Sequence, residues 1–301
     1  DTGLDLQGHS IKGMVTVKAA TGNNTTTFSN TQNTTTASID AVVAYRGAKL
    51  AGSKYPAVIG ELTLAEGATW KNILNDTALG YKVLNADGTH KWYARDDVNG
   101  SQLNNVIINR LPITTKTLNL KVDGKNLTGN SPKVERGTTV QLCASCNTNG
   151  ATVEFSILKK GETTPITLTK PSYADRKYTK DYSFDTIGEY TIYFTATKDG
   201  YTVQSAEKKL TVTKPNLSKA EITFRSSNES TYEPYRSTTT APGFTVTYNG
   251  KTLKLGVDYT ASGTASSAGV STQTLTIKAV EGSDYTGSKT AEWRIVPHKA
   301  K

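Results

Sequence analysis

Histidine, cysteine and methionine are nearly absent from this chain: three, two and one respectively in 301 residues. A structural zinc site needs four ligands, mostly thiolate or imidazole. With His9, His90 and His298 far apart in the sequence, no metal and no cofactor is expected. A Ser/His/Asp triad has equally little to build on. The H-E-x-x-H, G-x-S-x-G, P-loop and G-x-G-x-x-G patterns are all missing, so no enzyme is expected and no catalytic residue is named. A glycosidase carboxylate pair has no fixed spacing to search for, but the strand-like segments carry few acids. There is no run of 18 apolar residues, so no membrane-spanning segment is expected.

Dense charge is lacking too. The net charge is +9, yet adjacent lysines occur only as Lys159-Lys160 and Lys208-Lys209. Residues 114–214 hold 15 basic and 10 acidic residues, the largest excess of any third, and even that is dispersed. Nucleic acid is recognised by a clustered basic stripe, so it is not an expected partner. The polar start DTGLDLQGHSIKG has no leader character and reads as cut from inside a longer protein.

The two cysteines sit together in VQLCASCNTNGATVEF (140–155) with C-x-x-C spacing. A redox dithiol of the thioredoxin kind needs a helix N-terminus to lower a thiol pKa, and this segment reads as a strand. Period two from Val140 puts Val140, Leu142 and Ala144 on the inner face and Cys143 on the outer. If the strand runs on through Cys146, the two thiols face opposite ways and stay free. If it ends near Ser145, a tight loop permits a local disulfide.

What the chain has is turns, threonine and tyrosine (15 of the last). NADG (85–88), VDGK (122–125), NTNG (147–150), KDG (198–200) and YNGK (248–251) punctuate alternating segments such as TVEFSIL, YTIYFTA, KLTVT, FTVTY and EWRIV. Short alternating strands between Gly/Asn/Asp turns predict an all-β protein of tandem sandwiches. Pro112 and Pro215 follow strand-like runs. Proline ends a ladder, so the expected domains are 1–113, 114–214 and 215–301. The first is mostly β with one short helix near 69–76, capped by Thr69, with Trp70, Ile73 and Leu74 on one face. The polar tract 18–40 reads as exposed strands of a polar hairpin or, equally, as a flexible loop.

Two candidate binding sets stand out. HKWYARDD (90–97) puts Trp92 and Tyr93 on opposite faces of a strand among polar groups: Trp92, Tyr93, Arg95 and Asp97 could hold a sugar ring by stacking and hydrogen bonds, or both rings could pack in the core or between domains. Asp96, Asp97 and Asn99 offer too few alternating oxygens for a calcium loop and read as a solvated turn. STYEPYRSTTTAP (230–242) offers Tyr232, Tyr235 and Arg236 in a proline-bearing loop, which reads either as a recognition loop or, more simply, as a domain-linking one.

The segment TIGEYTIYFTATKDGYTVQSAEKKLTVT (186–213) resembles the last two strands of an immunoglobulin-like domain, with Gly188-Glu189-Tyr190 as a tyrosine corner. Ile192 stands where antibody domains have cysteine, and Phe155 where they have the strand C tryptophan. Residues 243–296 resemble Ig-like repeats of bacterial cell-surface proteins through Tyr248, Gly250, Lys251, Leu253, Gly256, Asp258, Tyr259, Tyr285, Gly287 and Trp293. AVVAYRGAKL (41–50) faintly echoes VTYNGKTL, which would make the first unit a divergent relative. The resemblance implies an exported, extracellular protein of the bacterial cell surface. Its role would be that of a modular stalk or adhesin, probing an extracellular protein or glycan as a monomer. A carbohydrate-binding module around residues 90–97 is the alternative.

Overall fold

The computed structural model describes residues 2–19, 24–32, 36–74, 76–232 and 236–298. Nearly all of the regular structure is strand. Buried side chains form clusters drawn in turn from residues 6–108, from residues 113–212 and, in two parts, from residues 217–295.

The first third opens with six strands in two alternating sets: β1 (Thr2–Asp5), β2 (Ile11–Val17), β3 (Thr26–Ser29), β4 (Ser38–Ala44), β5 (Leu50–Ala51) and β6 (Val58–Leu64). β1, β3 and β5 pair parallel in one sheet; β2, β4 and β6 pair parallel in another. The chain therefore winds as three stacked coils. Thr2 lies beside Thr26 and Thr26 beside Leu50. In-register stacking makes aliphatic columns: Ile11–Ile39–Ile59, Val15–Val42–Leu62 and Val17–Ala44–Leu64. Ile39, Val42, Ile59 and Leu62 are fully buried. Gly60 belongs to this geometry, because a Cβ there would lie 2.6 Å from the Asp40 carbonyl oxygen.

The stack's outer edge is blunted. β2 bulges between Ile11 and Met14, where Asp40 accepts hydrogen bonds from the Gly13 N–H (3.1 Å) and Lys12 Nζ (3.4 Å). A bulge and an edge lysine both discourage pairing with another chain. At the far side α1 (Trp70–Ile73) starts at Thr69, whose hydroxyl accepts from the Asn72 N–H (3.3 Å). The expected helix is thus present, one turn long. Trp70 is buried and donates its indole N–H to the Gly100 carbonyl (2.9 Å). β7 (Leu79–Leu84), β8 (His90–Ala94) and β9 (Gln102–Arg110) then complete the larger sheet in the order β2-β4-β6-β9-β7-β8, antiparallel from β6 onward.

Two expectations are corrected here. The polar tract 18–40 does hold strands, but β3 turns Phe28 into the core. The echo of VTYNGKTL at 41–50 is no structural kinship. β4 lies between two parallel partners, and the Ala48 N–H closes a turn onto the Tyr45 carbonyl (2.9 Å) that hands the chain to the other sheet. A two-residue hairpin would have returned it to its own.

The middle third is a two-sheet sandwich. Its strands are β10 (Lys116–Val122), β11 (Lys125–Asn126), β12 (Lys133–Glu135), β13 (Thr139–Cys146), β14 (Thr152–Lys159), β15 (Ile166–Leu168), β16 (Ser172–Ala174), β17 (Lys177–Ser183), β18 (Gly188–Lys198), β19 (Tyr201–Gln204) and β20 (Lys208–Thr213). One sheet runs β11-β10-β13-β17-β16. The other runs β12-β20-β18-β14-β15, with β19 paired antiparallel to the end of β18. Val140, Leu142 and Ala144 point inward as period two requires, and Phe155 meets Phe194 edge-on at 6.1 Å in the centre. The tyrosine corner is present: the Tyr190 hydroxyl donates to the Thr186 carbonyl (2.7 Å). β13 runs unbroken through Cys146, so the cysteines face opposite ways. Both are free and buried. Cys146 joins the core cluster, while Cys143 lies between Asn119 and Thr179 on the neighbouring strands. Burial raises the Cys146 thiol pKa, which suits an inert side chain.

The last third packs β21 (Glu221–Phe224), β24 (Phe244–Tyr248) and β25 (Lys251–Thr252) against β22 (Glu229–Thr231), β29 (Ser288–Val296), β28 (Ser271–Ala279) and β26 (Tyr259–Ser262). β23 (Thr239–Thr240) and β27 (Ala265–Ser266) form a small separate pair. Trp293 is fully buried, with its indole N–H on the Gly263 carbonyl (3.0 Å). Asn249 (φ 47°) and Gly250 (φ 76°) form the β24–β25 turn that their sequence predicted.

Candidate functional site

β8 carries the two aromatics of the first candidate set, which alternation splits between faces, and a 3-10 turn over Arg95–Asp97 carries the rest. Tyr93 turns toward the core and stacks on Tyr81 (centroids 5.3 Å, planes 16° apart), which in turn meets Trp70 at 5.6 Å. Burial, with Tyr93 and Asp97 nearby, raises the Tyr81 hydroxyl pKa. Trp92 turns the other way, onto the middle sandwich. Its indole N–H donates to the Asp199 carbonyl (3.1 Å), and its ring meets the edge of Tyr201 at 6.5 Å. The Lys82 ammonium lies 5.9 Å from the same ring. The ring nitrogen His90 Nε2 lies 2.9 Å from that same carbonyl.

The partner is the tip of the β18–β19 hairpin. Asp199 (φ 50°) and Gly200 (φ 75°) make a two-residue turn that thrusts the Asp199 carbonyl outward. Arg95 lies largely under cover, with Nη1 3.4 Å from the Leu74 carbonyl and Nε 3.5 Å from Asp96. Asp97 is close enough to Tyr81 and Tyr201 to raise both hydroxyl pKa values, behind the larger effect of burial. The four residues thus do gather in one place, but around a joint between the first and middle thirds. Trp92 is half-buried there, its ring shared between the Tyr201 edge and the Lys82 ammonium.

A second joint, marked by no sequence pattern, links the middle and last thirds. Glu135, at the end of β12, accepts hydrogen bonds from the Tyr248 hydroxyl, from Lys219 Nζ (3.0 Å) and from the Asn216 N–H (3.3 Å). Partial burial alone would raise the Glu135 carboxyl, but these donors outweigh it and hold the pKa below its usual value. Burial and the Glu135 carboxylate both raise the Tyr248 pKa. Arg136 pairs with Asp284 (2.9 Å), and Lys214 Nζ donates to the Ser283 carbonyl (2.5 Å).

The second candidate set is divided. Tyr232 packs against the cluster of Leu275, Trp293 and Ile295, and its N–H donates to the Val296 carbonyl (2.8 Å). Arg236 lines a polar cleft with Ser230, Thr231 and Thr238–Thr240. Tyr235 lies outside the described residues. Among the described residues no three His, Cys, Asp or Glu side chains gather as metal ligands, and no helix is long and apolar enough to cross a membrane.

No family model matches the chain, and no curated protein matches it. Among solved structures, the soluble domain of PmoD from Methylocystis sp. ATCC 49242 (Rockwell) is similar over 34% of this chain and 96% of its own (13% identity, TM-score 0.25). Domains 4–9 of the surface layer protein SbsC are similar over 78% of this chain and 40% of theirs (11% identity, TM-score 0.21). Scores this low carry no argument about fold or role.

Proposed function

We propose that this chain is a non-catalytic spacer of an extracellular bacterial surface protein. Three β-rich bodies in series would hold, or themselves present, a surface that engages an extracellular protein or glycan. The observation that carries this reading is the pair of joints. A spacer works by keeping its bodies at fixed separation, and flexible tandem modules usually meet through few contacts. Here each joint is made by buried or half-buried aromatic rings and directed hydrogen bonds.

The test is small-angle X-ray scattering of the whole chain at neutral pH. The reading expects one conformation to fit the curve, with Trp92→Ala and Glu135→Ala each broadening the distance distribution. A wild-type curve that only an ensemble of independently moving bodies can fit would sink it.

A further inference from the structure

β14 has eight residues, but β15 covers only three: Phe155, Ser156 and Ile157 pair with Leu168, Thr167 and Ile166. Prolines explain the short partner. Pro165 and Pro171 bracket β15, and a proline has no N–H to continue a ladder. Lys170, in the left-handed region (φ 52°), turns the chain toward the other sheet, where β16 begins at Ser172.

The consequence is a gap. Thr152–Glu154 pair with β18 on one side. Their other side faces a cleft of about 470 Å³ lined by Ala151, Val153, Thr169, Lys170, Pro171 and Tyr178. Its floor is fixed, because Ala151, Val153 and Tyr178 are buried and the Tyr178 hydroxyl accepts from the Ala151 N–H (3.1 Å). Tyr173 extends the wall, its ring 4.6 Å from that of Tyr178 and its side chain exposed. Glu154 and Lys170 put one charge of each sign at the rim.

We propose that this cleft docks a short extended peptide. Its backbone would continue the β15 ladder along Thr152–Glu154, and one of its apolar side chains would sit among Val153, Pro171 and Tyr178. An open strand edge repeats donors and acceptors at the spacing of another backbone, and strand addition is the mode that exploits it. The side-chain slot is apolar and the rim carries both signs, as a peptide's own side chains do. The edges of β2 and β15, by contrast, are blocked by a bulge with lysine and by prolines. A gap of three residues pairs few backbone groups and binds alone with modest affinity. This site is independent of the spacer reading and stands or falls separately.

The test uses the whole chain and a phage-displayed library of random linear heptapeptides. Enriched peptides are synthesised and titrated against labelled protein by amide NMR and fluorescence anisotropy. The proposal expects shifts confined to residues 151–154 and 169–173. It also expects Thr169→Trp, which fills the cleft from an exposed position, to weaken binding roughly tenfold or more with its remaining amide spectrum unchanged. Glu154→Lys should reverse the charge preference of the selected peptides. No enriched sequence, binders indifferent to Thr169→Trp, or shifts mapping elsewhere would overturn the proposal. So would a panel of soluble glycans that moves these same amides where the peptides do not.

Discussion

The first third and the middle third are built from the same material, short threonine-rich strands between glycine turns, and they pair them in opposite ways. In the stack, each strand lies parallel to its counterpart one coil away, and aliphatic columns such as Ile11–Ile39–Ile59 supply the core. In the sandwich, neighbouring strands of each sheet run mostly antiparallel, and the core between the two sheets is filled by side chains such as the cross-strand neighbours Phe155 and Phe194. The difference teaches that alternation specifies a strand and its buried face, while the choice of partner comes from contacts remote in sequence. It also gives the two regions different mechanical logic. A coil touches only its neighbours, so the stack can be loosened from one end, whereas a sandwich core is shared by every strand.

The comparison sharpens first where the effect is largest. Phe194→Ala empties the centre of the middle sandwich and should cost about 3–5 kcal/mol, read by denaturant unfolding. All strands of that sandwich should lose hydrogen-exchange protection together. Loss confined to β14 and β18 would break the contrast. Ile39→Ala, in the central coil, should cost about 2–5 kcal/mol and release the stack's amides while leaving the sandwich protected. Tyr190→Phe removes one directed hydrogen bond to Thr186 and should cost about 0.5–1.5 kcal/mol, read as a shift in the unfolding midpoint without a change of slope.

The smallest expected effect is on the second joint and depends on pH. Glu135 has a lowered pKa in the folded chain, so its contribution is fully present above its ordinary value of 4.5 and is lost as pH falls through the lowered folded value. Spin labels on the middle and last thirds should therefore report a distance distribution that is narrow at neutral pH and broad at acid pH. Glu135→Gln should be broad at both. A distribution indifferent to pH in the wild-type chain would remove Glu135 from the joint.

How much of this was legible followed the range of each interaction. The tyrosine corner joins residues four apart, so Gly188-Glu189-Tyr190 announced it. The Asn249-Gly250 turn and the Thr69 cap are equally local, and both stand where the residues placed them. The coil stack stayed hidden because nothing in IKGMVTV or SIDAVVA states which strand lies beside it. Trp92 and Tyr93 were found as a pair of unlike environment, but the Asp199 carbonyl that Trp92 binds lies 107 residues away. KDG (198–200) read only as a turn. Glu135 is one acid among 26 acidic residues, and its partner Tyr248 lies 113 positions on, so no pattern could mark it.

The most direct test of the spacer account is amide relaxation of the whole chain by NMR at neutral pH, comparing the rotational behaviour of the three bodies. Joints as described require all three to fit one common diffusion tensor. Separate, shorter correlation times for the first or the last body would mean that the contacts at Trp92 and Glu135 do not hold in solution, and the account would fail.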